Sequence, residues 1–599
     1  MTQDKAKQTS INIQEKASLI WEVATHLSGL YKEHEYGKII IPMTVIKRFN
    51  DTLLATHDKV LEVNAKLDKD GIQVKDGFLQ KASGYKFYNT SPFTLENLLD
   101  DADNIEANFR SYLSKFSDNV VDILENFKFD NEITTLAKGN ALYIVIQEFC
   151  SEKAYMGADK ITSVDMGYVF EELIRKFSES YDEKAGAHFT ARDIIYLMTD
   201  ILTAGDKESL NQEVVTKTAY DMTMGTSQML GCLTERILEI NPDADIKCFG
   251  QEFNPETYAI AKADMLIKGG NADNMKYGDT LLHKEFIPED VKGDCFDGYE
   301  FDYIISNPPF GIDWKKEKDS VEKEHDIGER GRFAVGLPPV SDGQMLFMLN
   351  GVKKLKDTGR MAIIQNGSPL FSGDAGSGPS EIRGLLLEND WLEAIIQMPT
   401  DMFYNTALST YIWVVTKDKA EHRKGKVQLI DANNMFELRK KNLGKKRKDF
   451  TQKCIERIVK AYEDFETKFY DYGKKSVESK IFDNDDFKYL KLTVETPQKD
   501  EKGNILLDKK GRKIANKELS DTELVPFKEN IEDYMIKNVY PFNPDAYIDE
   551  SKTKMGYEIP FTKLFYRYVA PKGSKEIFND IKQLESEETK LMKELFSND

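Results

Sequence analysis

Apolar residues in the first quarter of the chain recur at helical spacing. Leu19, Ile20, Val23, Ala24, Leu27 and Leu30 share one face, and Ile39, Ile40, Ile41, Met43, Val45 and Ile46 begin a second buried segment. A polar stretch from Asp68 to Gly84 interrupts the pattern, and Leu98 to Phe129 resumes it. This predicts a helical packing domain over residues 1–155. Over 156–430 the pattern changes to short apolar runs alternating with helical stretches. The expected strands are Ala219-Tyr220-Asp221, Ile246–Gly250, Phe301–Ser306, Met361–Gln365, Leu392–Gln397 and Tyr411–Thr416. The expected helices between them are Met229–Glu239, Pro255–Lys268, Gly343–Leu355 and Ser380–Asn389. Such alternation predicts an α/β fold with a mixed, mostly parallel sheet.

Residues 431–599 read as a charged, irregular extension. Gly503 and Gly511 punctuate a hairpin-like excursion from Thr493 to Lys513, and a helix is expected from near Ser574. In that helix Ile577, Ile581, Leu584, Leu591 and Leu595 follow three- and four-residue spacing, with Glu588 in the remaining seam slot. A seam of this length suits a partner helix, although packing back on its own domain stays open.

Composition narrows the class. The 599 residues are 40% hydrophobic and 31% charged, and no apolar run approaches the roughly 20 residues that span a bilayer. Met1 to Ser10 is polar, without an apolar signal core. Cys150, Cys232, Cys248, Cys295 and Cys454 show no Cys-x-x-Cys spacing, which argues against a zinc site or a disulfide framework. A cytoplasmic protein with no membrane association is expected. The net charge of −20 means that any contact with nucleic acid needs a local basic patch or a basic partner. The densest basic run, Arg439-Lys440-Lys441-Asn442-Leu443-Gly444-Lys445-Lys446-Arg447-Lys448, suits phosphate, an acidic partner or simply water.

The candidate chemistry starts at Asn307-Pro308-Pro309-Phe310, directly after an apolar strand. Two prolines fix the backbone and remove its donors, so carbonyl oxygens face out without a competing N–H. The Asn307 side-chain oxygen and the Pro308 carbonyl can then both accept from one amine, while Phe310 stacks on the flat ring that carries it. Taken alone, this corner reads equally well as a loop. Upstream, Asp221-Met222-Thr223-Met224-Gly225-Thr226-Ser227 forms a small-residue turn between strand and helix, suited to close ligand approach. The next strand ends in Gln251-Glu252-Phe253-Asn254, where doubly wound folds grip ribose hydroxyls. Glu252 lies further beyond Asp221 than the roughly 20 residues of the dinucleotide fingerprint. Asp279, in Gly278-Asp279-Thr280-Leu281, is a third strand-tip acceptor. No phosphate-binding Gly-x-x-x-x-Gly-Lys-[Ser/Thr] motif occurs, and no histidine–carboxylate grouping reads as a metal site.

In this order the segments resemble the modification (M, HsdM) subunit of type I restriction–modification systems, adenine-N6 DNA methyltransferases of the gamma group. The resemblance implies a Rossmann-like S-adenosylmethionine-dependent methyltransferase fold, with a helical N-terminal domain and a helical C-terminal extension. It assigns Ala187, His188, Phe189, Thr190, Ala191 and Arg192 to a cofactor-binding segment that usually reads Phe-Thr-Pro-Arg. Asp221, Gly225, Thr226 and Ser227 become the methionine cradle, Glu252 the ribose ligand and Asp279 the adenine contact. Asn307, Pro308, Pro309 and Phe310 become the catalytic loop. The turn departs from the family pattern Asp-Pro-x-x-Gly-[Ser/Thr]-Gly-Gly at Met222, Ser227 and Gln228, and Ala191 replaces a proline. Ser227 and Gln228 still offer backbone N–H groups if φ stays negative. The implied partners are DNA, a separate specificity (S) subunit, a second copy of the chain and a restriction (R) subunit. Two rivals remain: a non-catalytic scaffold of the same complex, and N-methylation of protein glutamine or RNA.

Overall fold

The computed structural model describes residues 22–162, 165–167, 169–170, 172–173, 190–404, 406–568 and 573–596. Contacts divide the chain into two units, Met1–Ile559 and Pro560–Asp599.

The first unit begins with helices. Gly37–Leu53, Ile105–Ser114, Asp118–Asn126, Phe129–Lys138 and Leu142–Phe149 enclose an apolar core that includes Ile40, Phe49, Phe109, Ile123, Leu136 and Val145. Val23, Ala24 and Leu27 join it, whereas Leu30 is 39% exposed. The first helical stretch stops at residue 27, and the chain turns through Gly29 at φ +89°. Leu19 and Ile20 lie outside the described residues. The same core takes Ala259, Ile260, Ala263 and Leu266 from the helix Pro255–Ile267. The helical region is thereby docked on a helix that covers the central sheet.

That sheet is built mainly from β1 (Thr216–Asp221), β2 (Asp245–Glu252), β3 (Met275–Tyr277), β4 (Phe301–Ser306), β5 (Leu355–Asn366), β6 (Leu392–Gln397), β7 (Thr410–Thr416) and β8 (Lys426–Asp431). The chain next forms an antiparallel hairpin of β9 (Glu437–Leu443) and β10 (Lys446–Asp449). It then returns to the sheet as β11 (Lys468–Asp471) and β12 (Ser476–Asp483). The ten-stranded order is β11-β12-β8-β6-β7-β5-β4-β1-β2-β3. β1 pairs in parallel with both β2 and β4, β4 with β5, and β6 with β8. β7 runs antiparallel between β5 and β6, and β12 antiparallel against β8. The mostly parallel sheet expected from the alternation is present, and β7 and β12 are its reversed members. β7 is buried at every position, as a continuous apolar run covered on both faces should be.

Two consequences position the site. The carboxyl ends of β1 to β6 and of β8 all lie on one edge of the sheet. At β1 the order reverses, with β2 and β3 on one side and β4 and β5 on the other, which opens a crevice beyond the strand ends.

Beyond the ten-stranded sheet, β13 (Lys488–Glu495), β14 (Asp521–Pro526), β15 (Tyr547–Ile548) and β16 (Lys554–Tyr557) form a smaller sheet centred on β13. The region after Asp431 is therefore more regular than its charge suggested. Between β13 and β14 the excursion makes two tight turns, through Gly503 at φ +84° and Gly511 at φ +76°. The second unit holds the helices Phe561–Phe565 and Ser574–Phe596. On the longer helix Ile577, Ile581, Leu584 and Leu591 are 45%, 48%, 64% and 63% exposed, so this apolar seam is open. The side chain of Leu595 lies outside the described residues.

Candidate active site at the carboxyl edge of the sheet

Asp221 ends β1 and Ser306 ends the neighbouring β4. Their parallel pairing brings the two side chains together inside the crevice. The Ser306 hydroxyl donates to Asp221 Oδ1 at 2.7 Å, and the Thr223 backbone N–H donates to the same oxygen at 3.1 Å. The Thr223 hydroxyl closes the group 2.8 Å from Ser306 Oγ. Asp221 is 1% exposed. Burial pushes its carboxyl up from an ordinary 3.8 to about 7, more than its hydrogen bonds lower it. Folding therefore favours the protonated form. That contribution is present below about pH 4 and is lost as pH rises toward 7.

The turn after Asp221 is held from three sides. Glu252, at the end of β2, accepts from the Gly225 N–H at 2.8 Å and the Asn254 N–H at 2.7 Å. Burial raises its carboxyl as well, against those backbone bonds. The Thr280 hydroxyl donates to the Met222 carbonyl at 2.6 Å. Met222, which stands where the pattern has proline, is fully buried, and its sulfur accepts from Asn350 Nδ2 at 3.4 Å. Its carbonyl and side chain are thus both anchored by tertiary contacts, in place of the rigidity of a proline ring. Gly225 sits at φ +53° and Ser227 at φ +65°. The negative φ on which an available Ser227 N–H depended is not adopted: serine takes a glycine-like left-handed conformation as the N-cap of the helix Gln228–Ile240. Its N–H turns inward to the Met224 carbonyl at 2.7 Å. Thr226 is buried, and Gln228 Nε2 donates to the Gly167 carbonyl at 3.1 Å.

Asp279 follows β3 and accepts from the Leu281 N–H at 2.9 Å. Burial raises its carboxyl, and burial together with the charge of Asp279 raises that of Glu317. Phe253, beside Glu252, is 62% exposed.

At the proline corner Asn307, Pro308 and Phe310 are buried and Pro309 is half-buried. Asn307 Nδ2 donates to Thr190 Oγ1 at 2.7 Å. The amide nitrogen is thus turned toward the Thr190 segment, as required of a side chain that is to accept through its oxygen. The Phe310 ring meets Phe403 edge to face, with centroids 6.1 Å apart. Thr190 and Ala191 lead into the helix Arg192–Ala204. Ala187, His188 and Phe189 lie outside the described residues. Arg192 lines a small cleft together with Thr226, Gln228, Glu235 and Lys268.

The description N-6 DNA Methylase matches residues 162–502, more than half of the chain, and the HsdM N-terminal domain matches residues 16–149. The chain belongs to the N-6 DNA methylase family. One relative is the type I restriction enzyme MjaIX methylase subunit of Methanocaldococcus jannaschii, 22% identical over 75% of this chain and 77% of its own length. Another is the MpnII methylase subunit of Mycoplasma pneumoniae, 25% identical over 74% and 82%. Among solved structures, the type I restriction–modification methyltransferase subunit from Streptococcus thermophilus shares the fold. Its TM-score is 0.58 at 20% identity, covering 79% of this chain and 97% of the other.

The methylase also carries supporting residues that the motif reading passed over. Ser306 and Thr223 join the cradle to the corner, and Phe403 covers Phe310. Arg332 is buried, pairs with Glu324 at 2.7 Å, and donates to the carbonyls of Thr280 at 2.6 Å and Leu281 at 3.3 Å. It fixes the loop that carries Asp279. Ser306 and Thr223 lie inside segments that the sequence had already marked, without a role of their own; Phe403 and Arg332 come from distant segments.

Ser227 is a non-glycine residue held at positive φ, a cost on the order of 1 kcal/mol. Ser227→Gly is expected to raise the thermal unfolding midpoint by a few degrees at most, since glycine also frees the unfolded chain. A lowered midpoint in differential scanning calorimetry would show that the serine side chain contributes more than its backbone costs.

Proposed function

We propose that this chain is the methyltransferase subunit of a type I restriction–modification complex, and that it methylates N6 of adenine in DNA using S-adenosylmethionine. One observation carries the proposal: the hydrogen bond from Ser306 to Asp221 ties the turn after β1 to Asn307, the next residue after Ser306, in a member of the N-6 DNA methylase family.

The donor set suits the cofactor. Asp221 would hold the ammonium of its amino-acid end beside the Gly225–Ser227 turn, Glu252 its ribose hydroxyls and Asp279 its adenine amine. Phe253 offers an exposed aromatic face beside Glu252. When bound, S-adenosylmethionine supplies a methyl group on a sulfonium, whose departure as a thioether needs no further activation.

The rest is done by the protein. The target adenine has to leave the duplex stack, at a cost of a few kcal/mol. Asn307 Oδ1 and the Pro308 carbonyl accept from its N6 amine, drawing the nitrogen toward sp3 geometry and exposing its lone pair. Pro309 keeps competing donors away, and Phe310, braced by Phe403, stacks on the base. No strong base is required, and the proton can leave to water. Positioning and preorganised acceptors carry the rate.

A separate specificity subunit would supply the sequence reading, and a second copy of the chain and a restriction subunit would complete the complex. The open seam Ile577-Ile581-Leu584-Leu591 is the candidate docking face for a helix of the specificity subunit. Among the described residues no helix is long and apolar enough to cross a membrane, which fits work on DNA in the cytoplasm.

Long-read sequencing of DNA from cells carrying the full operon should show N6-methyladenine in a bipartite motif. Asn307→Ala and Phe310→Ala should remove it while calorimetry still detects S-adenosylmethionine binding. Persistent methylation in either variant would refute the assigned roles, and absence of modification with the wild type would refute the activity. A cationic ligand beside Asp221 favours the carboxylate. Affinity for S-adenosylmethionine should therefore rise as pH passes through about 7, with proton release on binding below that pH; calorimetry in buffers of different ionisation enthalpy reads both. Leu584→Asp with Leu591→Asp should abolish co-purification with the specificity subunit and spare cofactor binding. Intact co-purification would rule out this face.

A further inference from the structure

The basic run between Arg439 and Lys448 forms the β9–β10 hairpin, and its cations divide into two groups. Three are used internally. Arg439 pairs with Asp449 at 2.5 Å, and Lys448 lies 4.3 Å over the Phe436 ring. Lys446 is buried and reaches Asp193 at 3.0 Å and the Met402 carbonyl at 3.1 Å. The other four, Lys440, Lys441, Lys445 and Arg447, are exposed. Among the described residues no carboxylate lies within ion-pairing distance of any of them, in a chain whose net charge is −20.

The internal group roots the hairpin at the active site. Asp193 stands three residues after Thr190, whose hydroxyl accepts from Asn307. The Lys445 N–H donates to the Tyr404 carbonyl at 2.7 Å and the Arg447 N–H to the Asp401 carbonyl at 2.9 Å. Gly444, at φ +57°, lies so close that a Cβ would meet the Tyr404 carbonyl at 2.5 Å. The same loop presents Phe403 to Phe310. Topology agrees: the hairpin leaves the carboxyl end of β8, on the edge where β1 and β4 deliver Asp221 and Ser306. Both of its anchors therefore lie within three residues of a side chain that touches the corner, Thr190 or Phe403, while its four remaining cations are exposed.

We infer that the β9–β10 hairpin is a DNA-backbone contact, in which Lys440, Lys441, Lys445 and Arg447 neutralise phosphates flanking the adenine presented to Asn307. This rests on the DNA-methyltransferase reading above. Four uncompensated cations on one short hairpin repel one another, and a polyanion relieves that repulsion. Phosphate contacts position a strand without reading its sequence. The hairpin would thus hold the strand on either side of an extruded base while sequence choice is made elsewhere.

The test uses the full chain assembled with its specificity subunit, comparing wild type with the combined variant Lys440→Gln, Lys441→Gln, Lys445→Gln, Arg447→Gln. Duplex binding is measured as a function of salt. Each neutralised phosphate contributes about 0.9 to the slope of log K against log salt. The variant should therefore lose between about two and four units of slope and bind at least about tenfold more weakly near 0.15 M salt. Its preferred methylation motif and its affinity for S-adenosylmethionine should stay as in the wild type. An unchanged slope and affinity would overturn the inference. So would failure of the variant to assemble with the specificity subunit while its assembled fraction binds DNA normally, which would mark the hairpin as a protein-docking element. A wild-type complex that methylates no DNA would instead refute the underlying activity, and the two failures are told apart by that control.

Discussion

The parallel pairing of β1 with β4 is the constraint on which the rest of the site depends. It sets Asp221 beside Ser306, and the hydrogen bond between them ties a small-residue turn to a proline-rigid corner. Neither segment is built to be stable alone. The turn contains two residues in the left-handed region, and the corner gives up two backbone donors. Each is held because the sheet delivers the other next to it, so a single register decides whether turn and corner face one crevice.

Burial carries a cost here that also makes the site useful. Asp221, Glu252 and Asp279 are pushed above their ordinary carboxylate range by loss of water. They are kept in place by backbone N–H groups and hydroxyls rather than by salt bridges. Sites that accept from hydroxyls and amines, or receive a cation, want this arrangement, because a bound ligand replaces the water that folding removed. The permanent ion pairs sit one layer back. Arg332 with Glu324 steadies the Asp279 loop, and Lys446 with Asp193 steadies the approach to Thr190. Acceptors stay at the surface of the crevice, and charge pairs brace them from behind.

The six strands expected over 156–430 are all present, but β5 begins at Leu355 rather than Met361, and β3, β8 and the helix Arg192–Ala204 were not foreseen. Phe301–Ser306 and Leu392–Gln397 coincide with β4 and β6. Local periodicity suffices there because each run is long, apolar and bounded by turn residues. The region after residue 431 was far less legible. β11 and β12 are short and mixed in polarity, and they become strands only because β8 offers an open edge to pair with. Leu30 shows the opposite error: it kept helical spacing, but the chain had already turned at Gly29.

The amino-acid sequence by itself marked the candidate residues for chemistry. Asn307-Pro308-Pro309-Phe310 and the acidic strand ends are local patterns, and spacing along one chain suffices to find them. Only the tertiary structure decided what supports them. Met222 departs from the expected proline, yet Thr280 and Asn350, brought in from other strands and helices, hold it. Ser227 takes a conformation that no neighbour in sequence would suggest. The basic run separates into buried braces and exposed cations only once Asp193, Tyr404 and Asp401 are placed around it. Support of this kind is a matter of distance in space, and distances between segments are set by packing, which a linear pattern does not contain.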